Sequence, residues 1–123
     1  MPPASYSSSA FTPDKLVTGP DPLESRQITL ITGQNLARGA LLGKITASGK
    51  YNLSLSAAVD GSQTPDAILA EATDATAADK VTVAHFRGGF NETEVTLGAA
   101  HTVDTVREGL RGKGIVLRKA LNP

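Results

Sequence analysis

Apolar residues in this chain come in short runs separated by glycine and polar turns, a spacing that favours strands over helices. Between Ile28 and Ile45 the runs are broken at Gly33, Gly39 and Gly43 and by the polar pair Gln34 and Asn35. That pattern builds a tightly curved β-layer with little room for an interior ligand. Residues 27–31 are rich in β-branched side chains and predict a strand, residues 33–35 a turn, and residues 40–45 a second strand interrupted at Gly43. A turn at Ser48, Gly49 and Lys50 precedes a strand over 51–53. Small side chains with weak periodicity then predict an irregular surface segment to Ala58, ending in a turn at Asp60 and Gly61.

Further strands are predicted over 68–72 and 81–86, separated by the alanine-rich stretch 74–79, which has no long apolar helical face. Along 81–86, Val81, Val83 and His85 share one face, and Thr82, Ala84 and Phe86 the other. Gly88 and Gly89 predict a sharp bend, followed by a strand over 94–97. One helix is predicted, over residues 102–112, because Val103, Val106 and Leu110 recur at spacings of three and four. Thr102 suits its N-cap and Asp104 its first turn, while Arg111 and Lys113 suit its C-terminal end. Gly109 weakens the helix interior, Gly114 is a left-handed stop, and a strand resumes over 115–117. The fold class is mainly β, with one C-terminal helix.

The first 23 residues differ in kind. Pro2, Pro3, Pro13, Pro20 and Pro22 remove backbone donors, and the serine run at 7–9 buries little apolar area, so this stretch supplies no core. Tyr6, Phe11, Leu16 and Val17 are its apolar anchors. It reads either as a terminus without consequence or as an arm that becomes ordered on a partner. The expected layout is a flexible Pro/Ser-rich arm over 1–23, a β-rich domain over 24–119 and a short tail over 120–123.

Charge and composition narrow the function classes. Twelve basic and twelve acidic residues cancel, which removes the long-range attraction of a general nucleic-acid or anionic-membrane binder. The chain has no cysteine, which excludes disulfides, a thiol nucleophile and thiolate metal sites. Residues 1–10 lack the basic and apolar regions of a secretion signal, and no stretch approaches a membrane span, so a soluble particle or an intracellular location is the default expectation.

Candidate chemistry is sparse. His85 and His101 are the only histidines and sit in no zinc-protease spacing; a structural or surface role is expected for both. Asp60, Asp66, Asp74 and Asp79 are oxygen donors, but their spacing is not that of an EF-hand loop. Glu92 and Glu94 fall on one face of an extended segment, either as a like-charge pair with a raised pKa or as two solvated carboxylates. There is no phosphate-binding Gly-Lys-Thr loop and no Gly-x-Ser-x-Gly elbow. Arg107, Arg111, Lys113, Arg118 and Lys119 gather basic charge near the C-terminus. Low aromatic content (4%) argues against base stacking and for a salt-bridging protein contact, which is also a reading for Arg38.

The stretch from Gly33 to Ile45 (GQNLARGALLGKI), together with Ala67-Ile68-Leu69-Ala70-Glu71, Gly89-Phe90-Asn91 and Leu110-Arg111-x-Lys113-Gly114-Ile115, strongly resembles the bacteriophage head decoration protein family of the lambda capsid-stabilising type. The resemblance covers roughly residues 27–117. It implies a small compact β-rich domain that forms homotrimers on the outer surface of the expanded capsid. There it cements neighbouring copies of the major capsid protein, having been made in the host cytoplasm. It implies no cofactor, no metal, no small-molecule substrate, no nucleic acid and no membrane. On that reading Tyr6, Phe11, Leu16 and Val17 are capsid-binding arm anchors, and Gln34, Asn35, Arg38, Arg107 and Arg111 are candidates for the trimer or capsid interface. Two other readings need different partners: a phage tail or receptor-binding module, and a hydrolase built around His85 and Glu71.

Overall fold

The computed structural model describes residues 16–18 and 22–119. Eight strands and one helix follow in the order β1 (Glu24–Leu30), β2 (Gln34–Leu36), β3 (Leu41–Lys44), β4 (Tyr51–Leu53), β5 (Pro65–Leu69), β6 (Thr73–Ala75), β7 (Lys80–Asn91), α1 (Val103–Arg111) and β8 (Ile115–Arg118). The fold is mostly β with a single helix near the C-terminus, as the periodicity predicts.

Strand order in the main sheet is β1-β4-β3-β5-β7-β8, and β1 pairs with β7 as well as with β4. The first five strands therefore close on themselves into a barrel, which removes the sheet edges that an open layer would expose. The β1–β7 seam is long and antiparallel, from Glu24 opposite Arg87 to Leu30 opposite Lys80. The β1–β4 seam is short and parallel: Leu30 faces Tyr51, and the Ile31 N–H donates to the Tyr51 carbonyl at 2.9 Å.

β7 is the spine. Its first half pairs with β1 and β5 in the barrel, and its second half, Gly88 to Asn91, pairs in parallel with β8. The bend expected at Gly88 and Gly89 is not a strand end. Gly88 adopts φ 143°, a mirror-image extended conformation open to glycine, and the strand runs on while its partners change.

Two apolar clusters follow from this arrangement. Ile28, Leu30, Leu42, Ala67, Leu69 and Ala84 fill the barrel together with Tyr51. Leu41, Ile68, Phe90, Val106, Leu110, Ile115 and Leu117 form a second layer beneath α1. β3 and β5 lie between the two and are covered on both faces, which is why Leu41-Leu42 and Ala67-Ile68-Leu69 are unbroken apolar runs. Gly43 is where the loop carrying Ser62 crosses β3: a Cβ there would stand 1.9 Å from the Ser62 carbonyl oxygen.

The helix meets expectation closely. Thr102 is its N-cap and exchanges side-chain hydrogen bonds with Thr105 in a reciprocal capping box, while Val106 and Leu110 face the core. Gly112 is the C-cap and Gly114 takes φ 91° before β8.

Three local expectations are corrected. Gln34 and Asn35 are not a turn: with Leu36 they form β2, antiparallel to β6, so the stretch read as a spacer at 74–79 also contributes a strand. Residues 94–97 are not a strand: a 3-10 turn runs over Glu92–Glu94, and Thr96 makes one isolated parallel bridge to Ala40. The cause is Asn91, whose side-chain oxygen accepts from the N–H and hydroxyl of Thr93 and curls the chain. Nor is the segment after β4 wholly at the surface, since Ser54 is completely buried.

Candidate functional site

Tyr6 and Phe11 lie outside the described residues. Leu16 and Val17 are placed against the body. The Asn91 N–H donates to the Leu16 carbonyl at 2.7 Å, the Thr18 N–H donates to the Gly89 carbonyl at 2.8 Å, and Val17 stands opposite Phe90 in an antiparallel bridge. Residues 16–18 thus occupy the edge of β7 that β8 leaves open. Leu16 is 2% exposed and belongs to the cluster beneath α1. Its carbonyl lies beside Asn91, where the chain turns into Glu92–Glu94.

The other expected interface residues sit on separate elements. Gln34 and Asn35 are on the β2–β6 ribbon; the Gln34 side-chain oxygen accepts from the Leu53 N–H at 3.1 Å, and Asn35 is exposed opposite Asp74. Arg38 is exposed and donates Nε to the Ala70 carbonyl at 3.0 Å. Arg107 is committed internally: Nη1 donates to the Leu117 carbonyl on β8 at 2.7 Å and Nη2 to Glu92 Oε1 at 2.9 Å. From the 3-10 turn that it shares with Glu94, Glu92 therefore pairs with a cation. Arg111 reaches Glu108 one turn earlier, and both side chains are exposed.

Further polar groups tie loops to strands. His85 is buried, its Nδ1 2.8 Å from the Ser25 hydroxyl and its ring stacked at a tilt on Phe90, 5.6 Å between centroids. The Ser54 hydroxyl donates to the Ser62 carbonyl at 2.7 Å and lies 3.1 Å from His101 Nε2. Its proton is directed at a carbonyl, so the oxygen accepts from the imidazole N–H, which is the reverse of the polarity that activates a serine. Asp60 and Asp74 accept from Ser62 and Thr76 two residues on, and these bonds hold both carboxyls below the usual range. Asp79 is held low by Lys50 and by the Thr32 N–H, linking the 31–32 and 48–50 turns. Only the short Asp-x-Ser and Asp-x-Thr spacings could have flagged these turns in advance. Among the described residues no group of three or more His, Asp and Glu side chains is gathered to hold a metal ion.

A closed barrel, backed by a helix-covered layer and carrying residues 16–18 as a strap, defines a small scaffold whose polar side chains fasten loops to one another. Architecture of this kind is compatible with many roles, so function needs a second line of support. The sequence profile of the family described as bacteriophage lambda head decoration protein D matches residues 8–115, and the chain belongs to that family. No individually curated protein matches the chain. Membership makes this a structural capsid protein of a bacteriophage, with a role in head decoration and a place in the virion capsid.

Proposed function

We propose that the protein cements the expanded phage head from outside, as a homotrimer at threefold and quasi-threefold positions where it bridges neighbouring major capsid subunits. The observation that carries this is the family match, which extends through residue 8, well upstream of the barrel. A cementing protein accelerates no reaction. It stabilises the assembled shell by binding it more tightly than it binds the precursor or separated subunits. Three linked copies raise the effective concentration of each later contact, so individually weak contacts act together.

Residues 1–15 serve as the capsid-binding arm, with Tyr6 and Phe11 as anchors and backbone groups between them adding to a capsid sheet. The fastening of residues 16–18 to β7 supports this division, because it gives the arm a fixed root. Gln34, Asn35, Arg38 and Arg111 are surface contacts of the trimer or the shell, and Arg107 supports them from within by bracing β8. Cryo-electron microscopy of mature heads with and without the protein tests the reading. Added external density at threefold positions is expected; density confined to the interior, or none, would overturn it.

A further inference from the structure

One end of the barrel carries an electrostatic feature that the net charge conceals. Three clefts, of about 370, 350 and 260 Å³, surround this mouth and share walls: Arg26 and Phe86 line the first and third, Lys44 the first and second, Asp66 and Lys113 the second and third. The floor is aromatic. Tyr51 and Phe86 meet edge to face with centroids 6.0 Å apart, and the Arg26 guanidinium sits 4.9 Å above the Phe86 ring.

Four cations, Arg26, Lys44, Arg87 and Lys113, stand around this floor with two carboxylates, Glu24 and Asp66. Both carboxylates are already engaged. Glu24 accepts from Arg26 at 2.7 Å, and Asp66 takes Lys113 at 3.3 Å and the Tyr51 hydroxyl at 3.4 Å. Burial and the nearby Asp66 charge raise the Tyr51 phenol, so it remains a neutral donor. Among the described residues Lys44 and Arg87 have no carboxylate partner, and both are exposed.

We infer that the barrel mouth is a docking surface for an acidic protein loop, whose carboxylates meet Lys44 and Arg87 while its apolar atoms rest on Tyr51 and Phe86. The clefts are open and share walls, which suits separate carboxylates on a folded loop. A nucleic-acid strand fits less well, since its evenly spaced phosphates would run past Glu24 and Asp66. Exposed cations opposite carboxylates raise association rates and specificity, and their effect weakens with salt. The inference rests on the capsid reading for the source of the loop, the shell protein, and adds a contact distinct from the arm.

The test is sedimentation of the full-length protein with expanded heads at low and high salt, comparing the natural chain with Lys44→Glu/Arg87→Glu and Lys44→Gln/Arg87→Gln. Thermal melts and analytical ultracentrifugation establish that fold and oligomeric state are retained. The charge-reversed variant should bind about tenfold more weakly, the neutral variant to an intermediate degree, and the natural chain should lose affinity as salt rises. Equal binding by all three would overturn the docking surface and leave the capsid reading standing. Failure of every chain to bind heads would overturn both. A changed oligomeric state in the variants would make the mouth a contact between copies, and salt-sensitive retention of the natural chain alone on single-stranded DNA would make it a nucleic-acid site; either overturns the inference.

Discussion

The backbone N–H of Asn91 donates to the carbonyl of Leu16 at 2.7 Å, closing the free edge of the longest strand with a residue 75 positions earlier in the chain. Leu16 is thereby part of the core, its side chain fully enclosed beneath α1. Leu16→Ala should lower stability by about 2–4 kcal/mol, the cost of a buried leucine and the cavity it leaves. Deleting residues 1–23, which removes Leu16 and its bonds to β7, should lower the urea midpoint at least as far as the point substitution. Urea denaturation of the two variants checks both statements.

Gly43 has no room for a side chain, because the added Cβ would overlap the Ser62 carbonyl, a backbone atom that cannot rotate away. Gly43→Ala should cost about 3 kcal/mol, at the upper end for overpacking, and should release the protection of the 60–64 loop in amide hydrogen exchange.

Gly109 presents the opposite case. It sits in the interior of α1, exposed, and a Cβ added there would meet nothing within 4 Å. Gly109→Ala should raise stability by about 1 kcal/mol through helix propensity alone, seen as a higher melting temperature with unchanged head binding.

Asp60, Asp74 and Asp79 should give the stability curve an acid limb. Each has a folded pKa held below its ordinary value of 3.8, Asp79 chiefly by Lys50. The unfolded chain therefore binds more protons than the native one in this range, so the stabilisation is complete above the unfolded value and is lost as pH falls through the folded one. Urea midpoints should be flat from about pH 7 to 5 and decline below about pH 4. Asp79→Asn should be less stable than the natural chain at neutral pH, and the two curves should converge at the acid end.

Much of the architecture is legible from the periodicity of side chains. Val103, Val106 and Leu110 locate the helix, Thr102 and Gly114 mark its limits, and the apolar runs of β1, β3, β4 and β8 identify those strands within a residue or a few. Elements held by partners distant in sequence are not legible in this way. β2 is made of Gln34 and Asn35, residues with weak strand preference, and exists because Ala75 and Asp74 pair with them. β7 outlasts its glycine pair because its halves pair with different strands, β1 and β5 before the glycines and β8 from them onward. At the candidate site, the sequence marks Leu16 as apolar, but the distinction between an anchor for a partner and a plug for the chain's own core depends on Asn91 and Phe90, which local pattern does not reach. The barrel mouth is hidden for a related reason: Arg26, Lys44, Arg87 and Lys113 are scattered along the chain and meet only when the ring of strands closes.

The passage of β7 from the barrel into the outer layer has a mechanical consequence. Tension applied through Leu16 is delivered directly to the backbone that holds both compartments. Under load the molecule should yield in a single rupture instead of peeling apart in stages.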